Sequence, residues 1–142
     1  MLSYDTIQLK RVYEEVEKSD GLRLLADRLW PRGIKKSVLN YDEWIKDLCP
    51  SSALRKAWHQ GQLSFESFEQ QYIQELGAHA DALSRVAAMA VRGPVTLISA
   101  VKSLDNSHLP ILKRAILEKM EDNEFNRSQT PASPVCYSSS DD

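Results

Sequence analysis

The stretch VTLISAV, residues 95–101, constrains the fold more than any other. It is short, apolar and rich in β-branched side chains, and it follows directly on Gly93-Pro94, a helix stop. It does not alternate apolar with polar residues, so it reads as a strand covered on both faces, the pattern of a parallel sheet. Parallel neighbours need long crossovers, and the residues before it supply them as helices. Ser51 or Ser52 can cap a helix carrying Ala53, Leu54, Ala57 and Trp58 that ends near Gly61. Ser64 can cap the next, in which Phe65, Phe68, Tyr72, Ile73 and Leu76 keep helical spacing up to Gly77. Asp81 opens a third, with Leu83, Val86, Ala87 and Ala90 on one face.

Two further strands and a last helix complete the reading. Thr6 to Tyr13 alternates between two faces, and Leu22 to Arg28 is an apolar run halted by Trp30-Pro31, because a residue before proline is pushed out of the helical region. Leu109, Leu112, Ile116 and Met120 form the stripe of a helix whose first turn tolerates Pro110. The expected fold is therefore α/β: a single domain with a mainly parallel sheet flanked by helices. Leu22–Arg28 and Val95–Val101 are expected to be neighbouring parallel strands. Trp44, Phe68, Tyr72, Leu97 and Ile116 are expected to be largely buried.

At 142 residues the chain is long enough for one real core, assigned to residues 1–125. Residues 126–142 are rich in Ser, Pro and Asp and are expected to form a disordered tail. The start of the chain lacks the pattern of a signal peptide, and no run approaches the ~18 apolar residues of a membrane span. Only two cysteines occur, Cys49 and Cys136, so a cytoplasmic location is expected, with Cys49 as a small core residue. A net charge of −2 gives no global field for nucleic acid, and a nucleic-acid partner is not expected. His59, His79 and His108 show no metal-ligand spacing, so no metal site is assigned. His108 reads as a capping or exposed residue. The cofactor, if any, is unassigned.

The chemistry-bearing stretch is ADRLWPRGIKK, residues 26–36. In open α/β sheets ligands bind beyond the carboxyl ends of strands, and Asp27 and Arg28 lie at such an end, as do Ser99 to Ser103. If the two strands are parallel neighbours, one crevice receives Asp27, Arg28, Arg32 and Lys102. Guanidinium groups present a planar fork suited to phosphate or carboxylate, and Asp27 can orient one of them. The alternative is an intramolecular ion pair that pins the loop. Trp30 can wall the pocket or anchor the loop in the core. Gly33 is expected to serve a positive backbone angle, and Arg55 can add to a basic rim.

The blocks LKRVY (9–13), DGLRLLADRLWPRG (20–33), Trp44, PSSALRKAW (50–58), Phe68, YIQEL (72–76) and VTL (95–97) resemble the YeaO-like family, within the superfamily of domains of unknown function numbered 488. The likeness covers roughly residues 5–117, and its hallmark is DRLWPRG. The resemblance implies a small cytosolic bacterial protein of α/β type. It departs at the second loop. Family members usually carry tyrosine after the buried strand, a basic residue followed by aspartate, and asparagine at the opening of the last helix. Here those places hold Ser99, Lys102-Ser103 and Ser107. Three functions follow as hypotheses: an enzyme or degenerate enzyme acting on a small anionic, nucleotide-like ligand; a non-catalytic regulatory or ligand-sensing module; and a nucleic-acid-binding regulator.

Overall fold

A computed structural model of the chain describes residues 6–129, with side chains in that range as far as Asn123. The strands are β1 (Ile7–Arg11), β2 (Leu22–Leu25), β3 (Glu43–Trp44) and β4 (Val95–Ser99); the helices are α1 (Ser52–His59), α2 (Phe65–Gly77), α3 (Ala80–Arg92) and α4 (Leu109–Gln129). The sheet order is β1-β4-β2-β3, and every pairing is parallel. VTLIS thus lies between two neighbours and is buried along its whole length, which is why it needs no polar face. Leu22 pairs with Val95 and Leu25 with Ile98, so β2 and β4 are the parallel neighbours the sequence implies.

The helix starts follow from their caps. Ser51 Oγ accepts from the Leu54 amide and Ser64 Oγ from the Ser67 amide, each satisfying one first-turn donor. β4 alternates between two environments. Val95 and Leu97 face the large core with Leu24, Phe68, Tyr72, Val86, Leu112 and Ile116. Ile98 faces a smaller cluster with Val12, Leu25 and Leu39, packed against Trp30, Tyr41 and Trp44. The helices therefore gather on one face of the sheet. The other face is roofed by the β2–β3 connection, which carries the DRLWPRG motif.

Phe68, Tyr72, Leu97 and Ile116 are fully buried as expected, whereas Trp44 is only half-buried. Its indole lies at the rim of the small cluster, edge-on to Trp30 at 5.5 Å, with the Lys46 ammonium over its ring. The helix α4 runs to Gln129, past the boundary at 125. Residues 130–142, which include Cys136 and most of the expected tail, lie outside the described residues. Gly33 has φ 79°, the left-handed geometry anticipated for it. Gly21 is under a stronger demand: its φ is 63°, and an added Cβ would lie 2.1 Å from the Pro94 carbonyl oxygen. That close approach lets the Leu22 amide bond Pro94 at 3.1 Å and brings β2 into register with β4.

Candidate functional site

β2 and β4 end side by side, and the loops that leave them open a cavity of about 680 Å3. Asp27, Arg28, Trp30 and Arg32 line it from the first loop and Lys102 from the second, so the structure brings all five candidate residues to one crevice. Helix α1 adds Arg55, Trp58 and His59, and the start of α4 adds His108.

Asp27 is committed to the framework. Its carboxylate accepts from Ser99 Oγ and from the Ala100 amide at 2.8 Å, and its carbonyl accepts from the Trp44 indole. Ser99 Oγ also accepts from the Val101 amide at 3.2 Å. The carboxylate therefore ties the end of β2 to the end of β4 through charge-assisted bonds, each worth about 1.5–3 kcal/mol. It does not orient an arginine: no bond joins it to Arg28 or Arg32 among the described residues.

Arg28 is half-buried and directed into the body. Its Nε donates to the Pro50 carbonyl at 2.8 Å and an Nη to the Cys49 carbonyl at 2.7 Å. The arginine does pin the loop, but to backbone carbonyls and not to the aspartate. Trp30 serves both readings considered for it: it packs edge-on against Tyr41 and Trp44, donates to the Ile34 carbonyl, and still lines the cavity. Arg32 and Lys102 are exposed at the mouth and have no ion-pair or hydrogen-bond partner among the described residues.

Two residues were under-read in the sequence. Arg55, read as able to add to a basic rim, has a buried Nε without a hydrogen-bond partner. His108, expected as a cap or an exposed residue, is only 8% exposed, and its Nε2 contacts the Ala26 carbonyl at 2.6 Å. Burial is the main influence on this imidazole. It outweighs the Ala26 carbonyl and Asp27, and with help from Arg55 and His59 it lowers the pKa below the ordinary 6.5. A carbonyl only accepts, so Nε2 carries the hydrogen and the neutral ring leaves Nδ1 as a bare acceptor. No local signal marks either role, because both depend on contacts between α1, α4 and the end of β2.

A prediction follows for His108. A depressed folded pKa means that the neutral ring favours folding at pH values above 6.5 and that this contribution is lost as pH falls below it. In an NMR titration the midpoint of the His108 ring signals should lie below 6.5. A midpoint at or above 6.5 would contradict the burial argument.

Cys49, at the floor of the cavity, is buried, and its thiol contacts the Ile45 carbonyl at 3.5 Å. Burial, reinforced by Asp27, pushes its pKa far above the thiol range, so it stays a protonated core residue. Ser107 Oγ donates to the Leu104 carbonyl and accepts from the Leu109 amide at the start of α4. Two of the serines at the altered family positions, Ser99 and Ser107, are thus structural here. Among the described residues no group of three or more His, Cys, Asp or Glu side chains can hold a metal ion, and no helix is long and apolar enough to cross a membrane.

Comparison with known proteins agrees with the hallmark block. The family model described as "Inactive DUF488-N3 subclade" matches residues 6–138. The chain is 46% identical over 106 residues to "Uncharacterized protein YeaO" of Escherichia coli K12, covering 75% of this chain and 92% of that protein. It is 34% identical over 116 residues to "Uncharacterized protein Rv3073c" of Mycobacterium tuberculosis, covering 82% and 98% respectively. No solved structure matches it. With DRLWPRG at the mouth of the crevice and the family match running through the whole described domain, the chain belongs to the YeaO-like family of the domain-of-unknown-function 488 superfamily, in its inactive N3 subclade.

Proposed function

We propose that the crevice binds a small anionic ligand, phosphate- or carboxylate-bearing and nucleotide-like in size, and does not turn it over. One observation carries this reading: the cavity is lined by Arg28, Arg32, Arg55 and Lys102 but by a single carboxylate, Asp27, which is already engaged by Ser99 and Ala100. Such an excess of cations around a partly apolar cleft raises the local concentration of anions. The exposed Arg32 and Lys102 grip the anion at the mouth, and the pinned Arg28 and Pro31 stiffen the loop, so that little entropy is lost on binding.

The absence of turnover rests on the same side chains. Asp27 has no proton-transfer role while it braces β4, and the Cys49 thiol is held protonated by burial. The description of the subclade as inactive agrees with this. A cytoplasmic regulatory or ligand-sensing module is the role that fits, with the free thiol of Cys49 suited to a reducing compartment.

A thermal-shift screen against inorganic phosphate, sugar phosphates and nucleotides tests the reading. A ligand at a hundredfold excess over its Kd stabilises by about 2.7 kcal/mol, a shift of several degrees for a domain of this size. The reading expects such a shift with a phosphate-bearing compound and no product in the same mixture by chromatography. Product formation, or no shift from any anionic compound, would contradict it. Binding that fell steeply with added salt and required a polynucleotide would point instead to nucleic acid.

A further inference from the structure

Arg55 Nε is the single buried side-chain nitrogen or oxygen without a hydrogen-bond partner among the described residues. An unsatisfied buried donor costs about 1–3 kcal/mol, and such atoms in native folds need an explanation. Arg55 lines the cavity together with His108, whose buried ring offers a bare Nδ1 because its Nε2–H is spent on Ala26. One unpaired donor and one acceptor without a protein partner therefore belong to side chains that line the same cavity. Arg32 and Lys102 are exposed at its mouth.

A fully ionised phosphate or carboxylate satisfies Arg55 but has no hydrogen to give His108. The complementary group carries a donor and an acceptor side by side and no charge. It is also flat. Trp58 lies one helical turn beyond Arg55, also lines the cavity, and is held by stacking on Phe68 with ring centroids 4.1 Å apart. A nucleobase edge, in which a ring N–H or amino group adjoins a carbonyl or bare ring nitrogen, meets these demands.

We propose that the part of the crevice lined by Arg55, Trp58 and His108 is a nucleobase subsite, in which Arg55 Nε donates to the base's acceptor and His108 Nδ1 accepts from its neighbouring N–H, with the nucleotide phosphate at Arg32 and Lys102. This rests on the anion-binding reading and adds a neutral, planar half to the ligand. The subsite recognises a mononucleotide through both ends, and the base contributes affinity that a sugar phosphate lacks.

Isothermal titration of the full-length protein with three kinds of probe tests the subsite. The probes are uridine and inosine monophosphates, the same nucleotides methylated on the ring nitrogen that donates, and ribose phosphate. At least one unmodified nucleotide should bind on the order of tenfold more tightly than its methylated form and than ribose phosphate. Arg55→Gln, checked for an unchanged Tm, should abolish the advantage of the nucleotide over its methylated form and over ribose phosphate. Equal binding of nucleotide, methylated nucleotide and ribose phosphate would overturn the subsite while leaving the anion site standing. Equal weakening of all three by Arg55→Gln would also overturn it, since the arginine would then grip the anion itself. Failure of every probe to bind would remove the anion-binding reading together with the subsite. The ligand comparison on the unaltered protein decides the question even if Arg55→Gln does not fold.

Discussion

Phe68→Ala is expected to lower the unfolding free energy by about 3–5 kcal/mol. Phe68 is fully buried on α2, stacks on Trp58, and sits 5.9 Å from the Tyr72 ring, centroid to centroid. Truncation loses the transfer energy of the ring and leaves a void, because Trp58 and Tyr72 are held from other sides. Tyr72 is anchored by its hydroxyl, which donates to the Leu48 carbonyl at 2.6 Å. Chemical denaturation measures the loss through a lower midpoint at unchanged slope. A loss under about 1 kcal/mol would show that Phe68 does not hold α2 to the sheet.

A comparable loss, about 3–5 kcal/mol, is expected from Asp20→Asn. Asp20 is completely buried on the loop-covered face of the sheet, with Lys10 Nζ at 3.1 Å and the Arg23 guanidinium directly on its other oxygen. The Glu17 amide donates to it as well, while its carbonyl accepts from Thr96 Oγ at 2.8 Å. Removing the charge leaves the buried Arg23 without its counter-ion and Lys10 with only the exposed Glu17, at 3.4 Å. By contrast, Glu43→Gln breaks the surface pair with Arg85 and should cost under about 1 kcal/mol.

The same cluster sets a pH window. Burial alone would raise the Asp20 pKa, but the Glu17 amide, Lys10 and Arg23 outweigh it and hold the carboxyl below its ordinary 3.8. A depressed carboxylate stabilises the fold above pH 3.8, and the contribution is lost as pH falls through the lower folded value. Burial works against the Lys10 ammonium, yet its bonds to Asp20 and Glu17 raise the pKa above 10.5, so that contribution holds below pH 10.5 and is lost above it. The Asn variant should therefore differ most from the native protein at neutral pH and converge with it in strong acid.

Much of this architecture was legible in the residues. VTLIS has no alternating polar face because helices cover one of its faces and an aromatic loop the other. Ser51 and Ser64 cap the helices they precede. Asp20, in contrast, reads as part of a polar turn, and nothing nearby signals that Lys10 and Arg23 close over it. The covering of that sheet face by a loop in place of a helix is likewise a product of tertiary packing. At the site, the motif located the crevice, but bonding partners lay beyond the reach of spacing. Asp27 turned to Ser99 on a strand 72 residues away, and Arg28 to carbonyls more than 20 residues on. Arg55 and His108 acquire significance only where α1 and α4 converge on the end of β2.

The claim that the DRLWPRG loop grips an anion is tested most directly by titrating native protein and Arg32→Lys with the phosphate-bearing compound that gives the largest thermal shift. Lysine keeps the charge and removes the planar fork. The expected result is an unchanged Tm and binding weaker on the order of tenfold, about 1.4 kcal/mol. Native binding in a variant that melts lower would contradict the claim and make Arg32 a structural pin.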